Sequence, residues 1–365
     1  MPTLKSNNIS KRKAGFPRSS IKIGSANIGD NAPTYVIAEA GVNHDGQISI
    51  AKELIHAAHE AKADAVKFQV FSADRLVTRN ASTATYQQKA NQASNQFEML
   101  RRLELTHEEF AELYAYCGYR GIEFLATPFS LDDLKFLVAM GVRAIKLASS
   151  DIVNQQLLEA AAIPDLPIIA STGAAELSEI SEAMDIFEKN GADQLALMHC
   201  VSAYPTPDEQ ANLRAITTLA KTFNCISGFS DHTQSLSIGG YARAAGASII
   251  EKHLTLDQRR SGPDHAFSLT ADQMAEYILN IRQADTLMGS GKIVAEQCEN
   301  DVRTHSRGSI VTLRDIRGGE TISRDMLTVK RPGTGIAPRW FDDVLGLVAT
   351  RDIPADTPMD WDLLS

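Results

Sequence analysis

Four residues of the chain have types and settings that suit chemistry better than packing. His232 lies in "FSDHT" and His253 in "EKHLT", too far apart to share one helix face, each with an acid close by in Asp231 and Glu251. Lys67 in "DAVKFQV" and Lys146 in "VRAIKLAS" interrupt apolar runs. Burying an unpaired ammonium is expensive. A single lysine of this kind can snorkel or pair with a glutamate. Two of them, with hydroxyls on neighbouring strand ends, suit a phosphate and carboxylate site. Two imidazoles with Asp, Glu and water suit a divalent first-row metal with open positions. The plainer expectations are that Asp231 caps the helix after it and that Glu251 pairs with a lysine of a neighbouring strand. His44 and His199 are expected to be structural.

These residues need a scaffold that gathers them. Eight short apolar runs cover 35–40, 64–70, 121–127, 142–149, 166–172, 194–200, 225–230 and 247–253. Between them lie helical patterns such as Ile48–Ala63, Thr106–Tyr119, Ser130–Met140, Leu177–Asn190, Asp208–Thr222 and Gln234–Ala245. Strands alternating with helices imply a parallel sheet with right-handed crossovers, and eight repeats match a (β/α)8 barrel of the TIM type. An open doubly wound sheet would need a glycine fingerprint after its first strand, and "AEAGVNHDG" is not one. In a barrel the chemistry sits at the C-terminal strand ends. There the sequence places Glu39, Lys67, Gln69, Thr127, Lys146, Ser149, Asp151, Ser171, Ser202, Tyr204, Ser230, His232 and His253. Strands seven and eight are neighbours, roughly 4.8 Å apart, so their ends bring the two histidines together.

Residues 71–105 form a long polar insert before the second helix, suited to a lid or a dimer contact. After about Met288 the pattern changes. We read 1–20 as a polar tail, 21–288 as the barrel, 289–305 as a linker and 306–365 as a small β-rich domain with Gly/Pro turns. At about sixty residues that last domain is marginal alone and is expected to pack on something.

The 365 residues are 44% hydrophobic and carry a net charge of −9, which argues against general nucleic-acid binding. Four scattered cysteines with no CxxC pair read as reduced thiols of a cytoplasmic protein. No apolar run is long enough to span a membrane, so no membrane partner is expected.

Taken in order, "IAEAGVNHDG", "VKFQ", "TPFS", "IKLASSD", "STG", "HCVSAYPTP", "GFSDHT", "EKHLT", "GPDHAFSL" and "VKRPGTGI" resemble the sialic acid synthase family over about 33–365. These enzymes condense phosphoenolpyruvate with an N-acetylated sugar aldehyde. The resemblance implies a TIM barrel followed by an antifreeze-like (SAF) domain, and a domain-swapped homodimer in which one subunit's small domain covers its partner's barrel mouth. It implies that His232 and His253 bind a divalent metal, Mn²⁺ first, with Mg²⁺ or Co²⁺ as alternatives. Lys67, Thr127, Lys146, Ser149, Ser171, Ser202 and Ser230 would hold phosphoenolpyruvate. Gln69, Tyr204 and Asp264 would face the sugar, Arg331 would reach the partner's site, and Glu39 would be a catalytic carboxylate. Two positions depart from the sialic acid enzymes: Asp151 stands for a glutamate and Ser202 for an asparagine. "VSAYP" and "GPDHAFSL" look closer to relatives that make legionaminic, pseudaminic or spore-coat sugars.

The function implied is metal-dependent condensation giving a nine-carbon 2-keto acid and phosphate by C–O cleavage, the acceptor being N-acetylmannosamine or a 2,4-diacetamido-trideoxyhexose. Glu39 or Asp151 would move protons, Glu39 being the first choice for the water. The alternatives are a keto-acid phosphate synthase with a phosphorylated acceptor, or a non-catalytic carbohydrate-binding protein.

Overall fold

The computed structural model describes residues 20–29, 31–83 and 95–365. The chain divides after Ser290 into two units, Met1–Ser290 and Gly291–Ser365. Nearly all of the expected tail and the middle of the 71–105 insert lie outside the described residues.

Most of the strands that form inside these runs are buried from end to end, which is what strands covered on both faces require. A short antiparallel hairpin, β1 (Ile21–Ile23) and β2 (Ala26–Ile28), precedes them. Then come β3 (Tyr35–Gly41), β4 (Ala65–Val70), β5 (Glu123–Pro128), β6 (Ile145–Leu147), β7 (Ile168–Ser171), β8 (Leu195–Cys200), β9 (Ile226–Asp231) and β10 (Ile249–His253). All eight pair in parallel, in the order β5-β4-β3-β10-β9-β8-β7-β6. The end strands β5 and β6 lie side by side, so the sheet is a near-closed barrel.

The connecting helices are α1 (Ile48–Glu60), the insert helices α2 (Ala73–Leu76) and α3 (Gln96–Arg101), then α4 (His107–Arg120), α5 (Leu131–Met140), α6 (Gln155–Ala162), α7 (Leu177–Lys189), α8 (Arg214–Phe223), α9 (Ile238–Ala244) and α10 (Ala271–Met288). Their limits follow local chemistry. Thr106 and Glu109 close a capping box on α4, and Gly121, at φ 74°, ends it in the left-handed region. Ser130 caps α5 by accepting from the Asp133 N–H.

Side chains alternate across a strand, so every second residue points into the barrel. The lower interior is apolar: Ile37, Ala65, Leu125, Ile169, Ala196, Met198, Ile226 and Ile249 pack together. Ile21, Ile23 and Ile28 of the hairpin join this cluster and close the bottom of the barrel. The outward residues form separate layers against the helices, including Val36, Ala38, Val66, Phe68 and Ile250. One step up each strand the inward residues become polar, and that change of layer creates the site.

The first α-helix of the second unit is the exposed α11 (Asn300–Ser306), all but its last residue inside the stretch read as a linker. It continues with β11 (Ser309–Thr312) antiparallel to β12 (Leu327–Lys330), and then α12 (Phe341–Val344). Its own core gathers Ile310, Ile316, Ile322, Leu327, Val344, Ile353 and Met359. No helix among the described residues is long and apolar enough to cross a membrane.

Candidate active site

The polar layer of the barrel opens into a cavity of about 640 Å³. Its lining includes Glu39, Lys67, Gln69, Thr127, Lys146, Ser149, Ser171, Ser202, Tyr204, Ser230, His232, Glu251, His253 and Asp264. Of the residues expected to carry catalysis or binding, two lie elsewhere. Asp151 sits in the turn after β6, accepting from Asn154 Nδ2 at 3.1 Å and from Ser150 Oγ at 3.4 Å, outside the lining. Arg331 follows β12 in the second unit and is exposed.

Four buried charges sit in the floor of the cavity. Lys67 Nζ is 3.1 Å from Glu251 Oε2 and 3.4 Å from Glu39 Oε2, and it donates to Thr127 Oγ1 at 3.4 Å. Lys146 Nζ donates to Ser171 Oγ at 2.7 Å and lies 3.7 Å from Glu251 Oε2. The other oxygen of Glu251 accepts from Ser230 Oγ at 3.0 Å, and Glu39 Oε1 accepts from Gln69 Nε2 at 3.1 Å. All four charged residues are at most 4% exposed. Such a cluster is weak evidence for stability and stronger evidence for function, because desolvation opposes the Coulombic gain. Glu251 therefore does pair with lysines, but not with one of a neighbouring strand: β10 adjoins β3 and β9, while Lys67 is on β4 and Lys146 on β6, both reached across the lumen.

Burial and the like charge of Glu251 push the Glu39 carboxyl up to about 7, outweighing the pull of Lys67. Burial brings the Lys146 ammonium down to about 8, with Lys67 acting the same way against the pull of Glu251. Burial also opposes ionisation of Glu251, but Lys146 and Lys67 together hold it well below the ordinary carboxylate range. One carboxyl is thus a fixed anion, while its neighbour can take up or release a proton near neutrality.

The hydroxyl side of the cavity depends on Gly173. A Cβ there would fall 2.4 Å from Ser202 Oγ and 2.9 Å from both Cys200 Sγ and Ser149 Oγ. Glycine lets the backbone pass close to these groups, and its N–H donates to Ser149 Oγ at 3.0 Å. Cys200 was legible only as one of several reduced thiols. It lines the cavity, with Sγ 3.7 Å from His232 Nδ1.

The rings of His232 and His253 are 5.4 Å apart, with Tyr204 4.3 Å from His232 and Phe267 5.0 Å from His253. His232 Nδ1 lies 2.9 Å from the Val201 carbonyl, which can only accept, so this nitrogen carries the proton and Nε2 the lone pair of the neutral ring. His253 Nδ1 is buried without a hydrogen bond, 3.9 Å from Asp264 Oδ2. Burial, helped by His232, holds His253 well below the usual imidazole range, and burial raises Asp264 to about 6. Burial opposes protonation of His232, but its contacts with Cys200 and the Val201 carbonyl raise it overall. With both rings deprotonated, two imidazoles beside an acid fit a divalent cation. Among the described residues no group of three His, Cys, Asp or Glu is placed to hold one unaided. A bound ion would therefore draw further ligands from water or substrate.

Asp231 does not cap the following helix, whose N-cap is Ser237. It faces outward and is paired with Lys252. His44 and His199 have structural partners: His44 Nδ1 accepts from the Gly46 N–H at 3.1 Å, and His199 Nε2 meets the Ala211 carbonyl at 2.8 Å.

Residues 54–293 match the NeuB family, and residues 307–365 match the SAF domain. The chain belongs to the NeuB family. It is 40% identical over 339 residues to the N,N'-diacetyllegionaminic acid synthase of Legionella pneumophila, spanning 92% of this chain and 95% of that protein. It is 36% identical to the spore coat polysaccharide biosynthesis protein SpsE of Bacillus subtilis, spanning 94% and 97%. Among solved structures, the N-acetylneuraminic acid synthetase of Leptospira borgpetersenii, in complex with citrate, superposes with a TM-score of 0.71 at 35% identity, covering 78% of this chain and 95% of that one. The near-closed barrel with a polar upper layer is thus a NeuB-family barrel, and the small second unit is a SAF domain.

Proposed function

We propose that this protein condenses phosphoenolpyruvate with an N-acetylated amino-sugar aldehyde to give a nine-carbon 2-keto acid and phosphate. The observation that carries this reading is one cavity with two buried lysines and a ring of hydroxyls on one side and a pair of imidazoles on the other. The lysines supply charge for phosphate and carboxylate, with Thr127, Ser149, Ser171, Ser202 and Ser230 as hydrogen-bonding partners. Gln69, Tyr204 and Asp264 line the same cavity and would face the sugar. Two relatives at 40% identity are named N,N'-diacetyllegionaminic acid synthase, which supports a 2,4-diacetamido-trideoxyhexose as acceptor over N-acetylmannosamine.

In this reading C3 of phosphoenolpyruvate bonds to the aldehyde carbon, water adds at C2, and the C2–O bond to phosphate breaks. Glu39, with its carboxyl near 7, takes the proton of the entering water. Lys67 and Lys146 hold the anionic groups throughout. Asp151, turned towards Asn154, is left with a supporting role. His232 and His253 would hold a divalent metal, Mn²⁺ foremost, which when bound supplies Lewis acidity toward the acceptor carbonyl. Arg331 would act in trans, from the second unit of a partner in a domain-swapped dimer.

The test is phosphate release from phosphoenolpyruvate with 2,4-diacetamido-2,4,6-trideoxymannose, N-acetylmannosamine or arabinose 5-phosphate. Turnover with the last alone would replace this reading by a keto-acid phosphate synthase. Binding without any turnover would leave a carbohydrate-binding protein. Substrate labelled with ¹⁸O in the bridging position should deliver its label to phosphate.

A further inference from the structure

Directly behind the two histidines, on the outer face of the same strands, lies an ion pair that the reaction does not use. Asp231 and Lys252 are direct partners in the β9–β10 register. The Lys252 ammonium is 2.9 Å from Asp231 Oδ2, and each residue is 1% exposed. Each immediately precedes one of the histidines. Strand alternation then sends Asp231 and Lys252 toward the helices and His232 and His253 into the cavity.

The contacts of this pair close around His232. Asp231 Oδ1 accepts from the Thr233 N–H at 2.8 Å. Lys252 Nζ also donates to the Thr233 carbonyl. The residue before His232 and the residue after it are therefore both held by Lys252, the residue before His253. Tyr277 of α10, fully buried, donates to Asp231 Oδ2 at 2.9 Å and fixes the carboxylate from the helix side. The His232 carbonyl itself accepts from the Thr206 N–H at 2.8 Å. Glu39 and Lys67 on β3 and β4 form another buried ion pair in direct register, but that pair faces the cavity, whereas Asp231 and Lys252 face away from it.

We infer that Lys252 and Asp231 are positioning residues that set the separation and orientation of His232 and His253 for a divalent cation. This rests on the metal reading above. A buried ion pair is not needed to hold a parallel sheet together and often stabilises no better than apolar residues of similar volume. Its value here is geometric, because a cation held by two imidazoles is sensitive to small changes in their spacing. Groups that orient metal ligands from behind commonly change metal affinity by about 10–100-fold when removed.

The experiment measures Mn²⁺ affinity, by electron paramagnetic resonance of free Mn²⁺, for the full-length wild type, Lys252→Met, and the charge-balanced double variant Asp231→Asn/Lys252→Met. Phosphoenolpyruvate binding without metal and the melting temperature are recorded alongside. The expected result is metal affinity about 10–100-fold weaker in both variants, with phosphoenolpyruvate binding retained. The double variant should melt closer to wild type than Lys252→Met, since it leaves no orphaned carboxylate. A folded variant, single or double, that binds Mn²⁺ as tightly as wild type overturns the inference while leaving the metal reading intact. Wild-type protein that turns over but binds no divalent metal overturns both.

Discussion

Glu39 and Lys67 face each other at 3.4 Å inside the barrel, both buried, on adjacent strands where they are direct register partners. The pair lies open to the cavity, so an arriving anion competes with Glu39 for the lysine. That competition links substrate charge to the protonation of Glu39.

The pH dependence follows. As a base Glu39 must be ionised, so kcat/KM should rise with pH through about 7. As an anion holder Lys146 must be charged, so kcat/KM should fall above about 8. A bound trianion raises both values, because negative charge disfavours carboxylate and favours ammonium. The kcat profile should therefore sit at higher pH than the kcat/KM profile. Glu39→Gln should abolish the acidic limb and reduce kcat by about 10²–10⁴-fold. An unchanged acidic limb would remove Glu39 from the base role.

Gly173→Ala tests the hydroxyl cradle. The added methyl meets Ser202 Oγ, Cys200 Sγ and Ser149 Oγ at distances that force at least one to move. The melting temperature should fall by an amount matching about 1–3 kcal/mol. KM for phosphoenolpyruvate should rise at least tenfold, about 1.4 kcal/mol, while KM for the sugar changes little. Titration calorimetry and steady-state kinetics with each substrate varied would separate the two effects.

Much of this site was legible in the sequence because a barrel turns periodicity into geometry. Eight apolar runs fix eight strands, and their polar C-terminal residues must then share one mouth. The β1–β2 hairpin was not legible: three-residue strands carry too short a pattern to register. Asp151 is expected at the mouth with the other strand-end residues, but it lies in the short turn after β6, and that turn aims it at Asn154. The acids beside the histidines looked equivalent in sequence. Strand alternation separates them, sending Glu251 to the lysines inside and Asp231 to Lys252 outside. Tyr277, which completes the outer cluster, arrives from a helix far along the chain and carries no local signal.

Metal removal should silence the enzyme. Protein treated exhaustively with chelator should lose activity by about two orders of magnitude or more and regain it with Mn²⁺. His232→Asn and His253→Asn should each prevent that recovery, yet leave phosphoenolpyruvate binding near wild type because Lys67 and Lys146 are untouched. Full activity after chelation, checked by elemental analysis, would reject a metal at these histidines.

Subunit mixing tests the proposed sharing of Arg331. Lys67→Ala removes a cavity lysine, and Arg331→Ala changes only the second unit. Each variant alone should be nearly inactive. If the SAF domain of one subunit completes the barrel of the other, a hybrid dimer pairs one intact barrel with one intact SAF domain and regains one site of two. Equal mixing with free exchange makes half the dimers hybrid, so about a quarter of wild-type activity should return. If each subunit used its own Arg331, no hybrid would hold an intact site, and mixing would restore nothing. Chromatographic confirmation that subunits exchange makes a null result decisive against the swap.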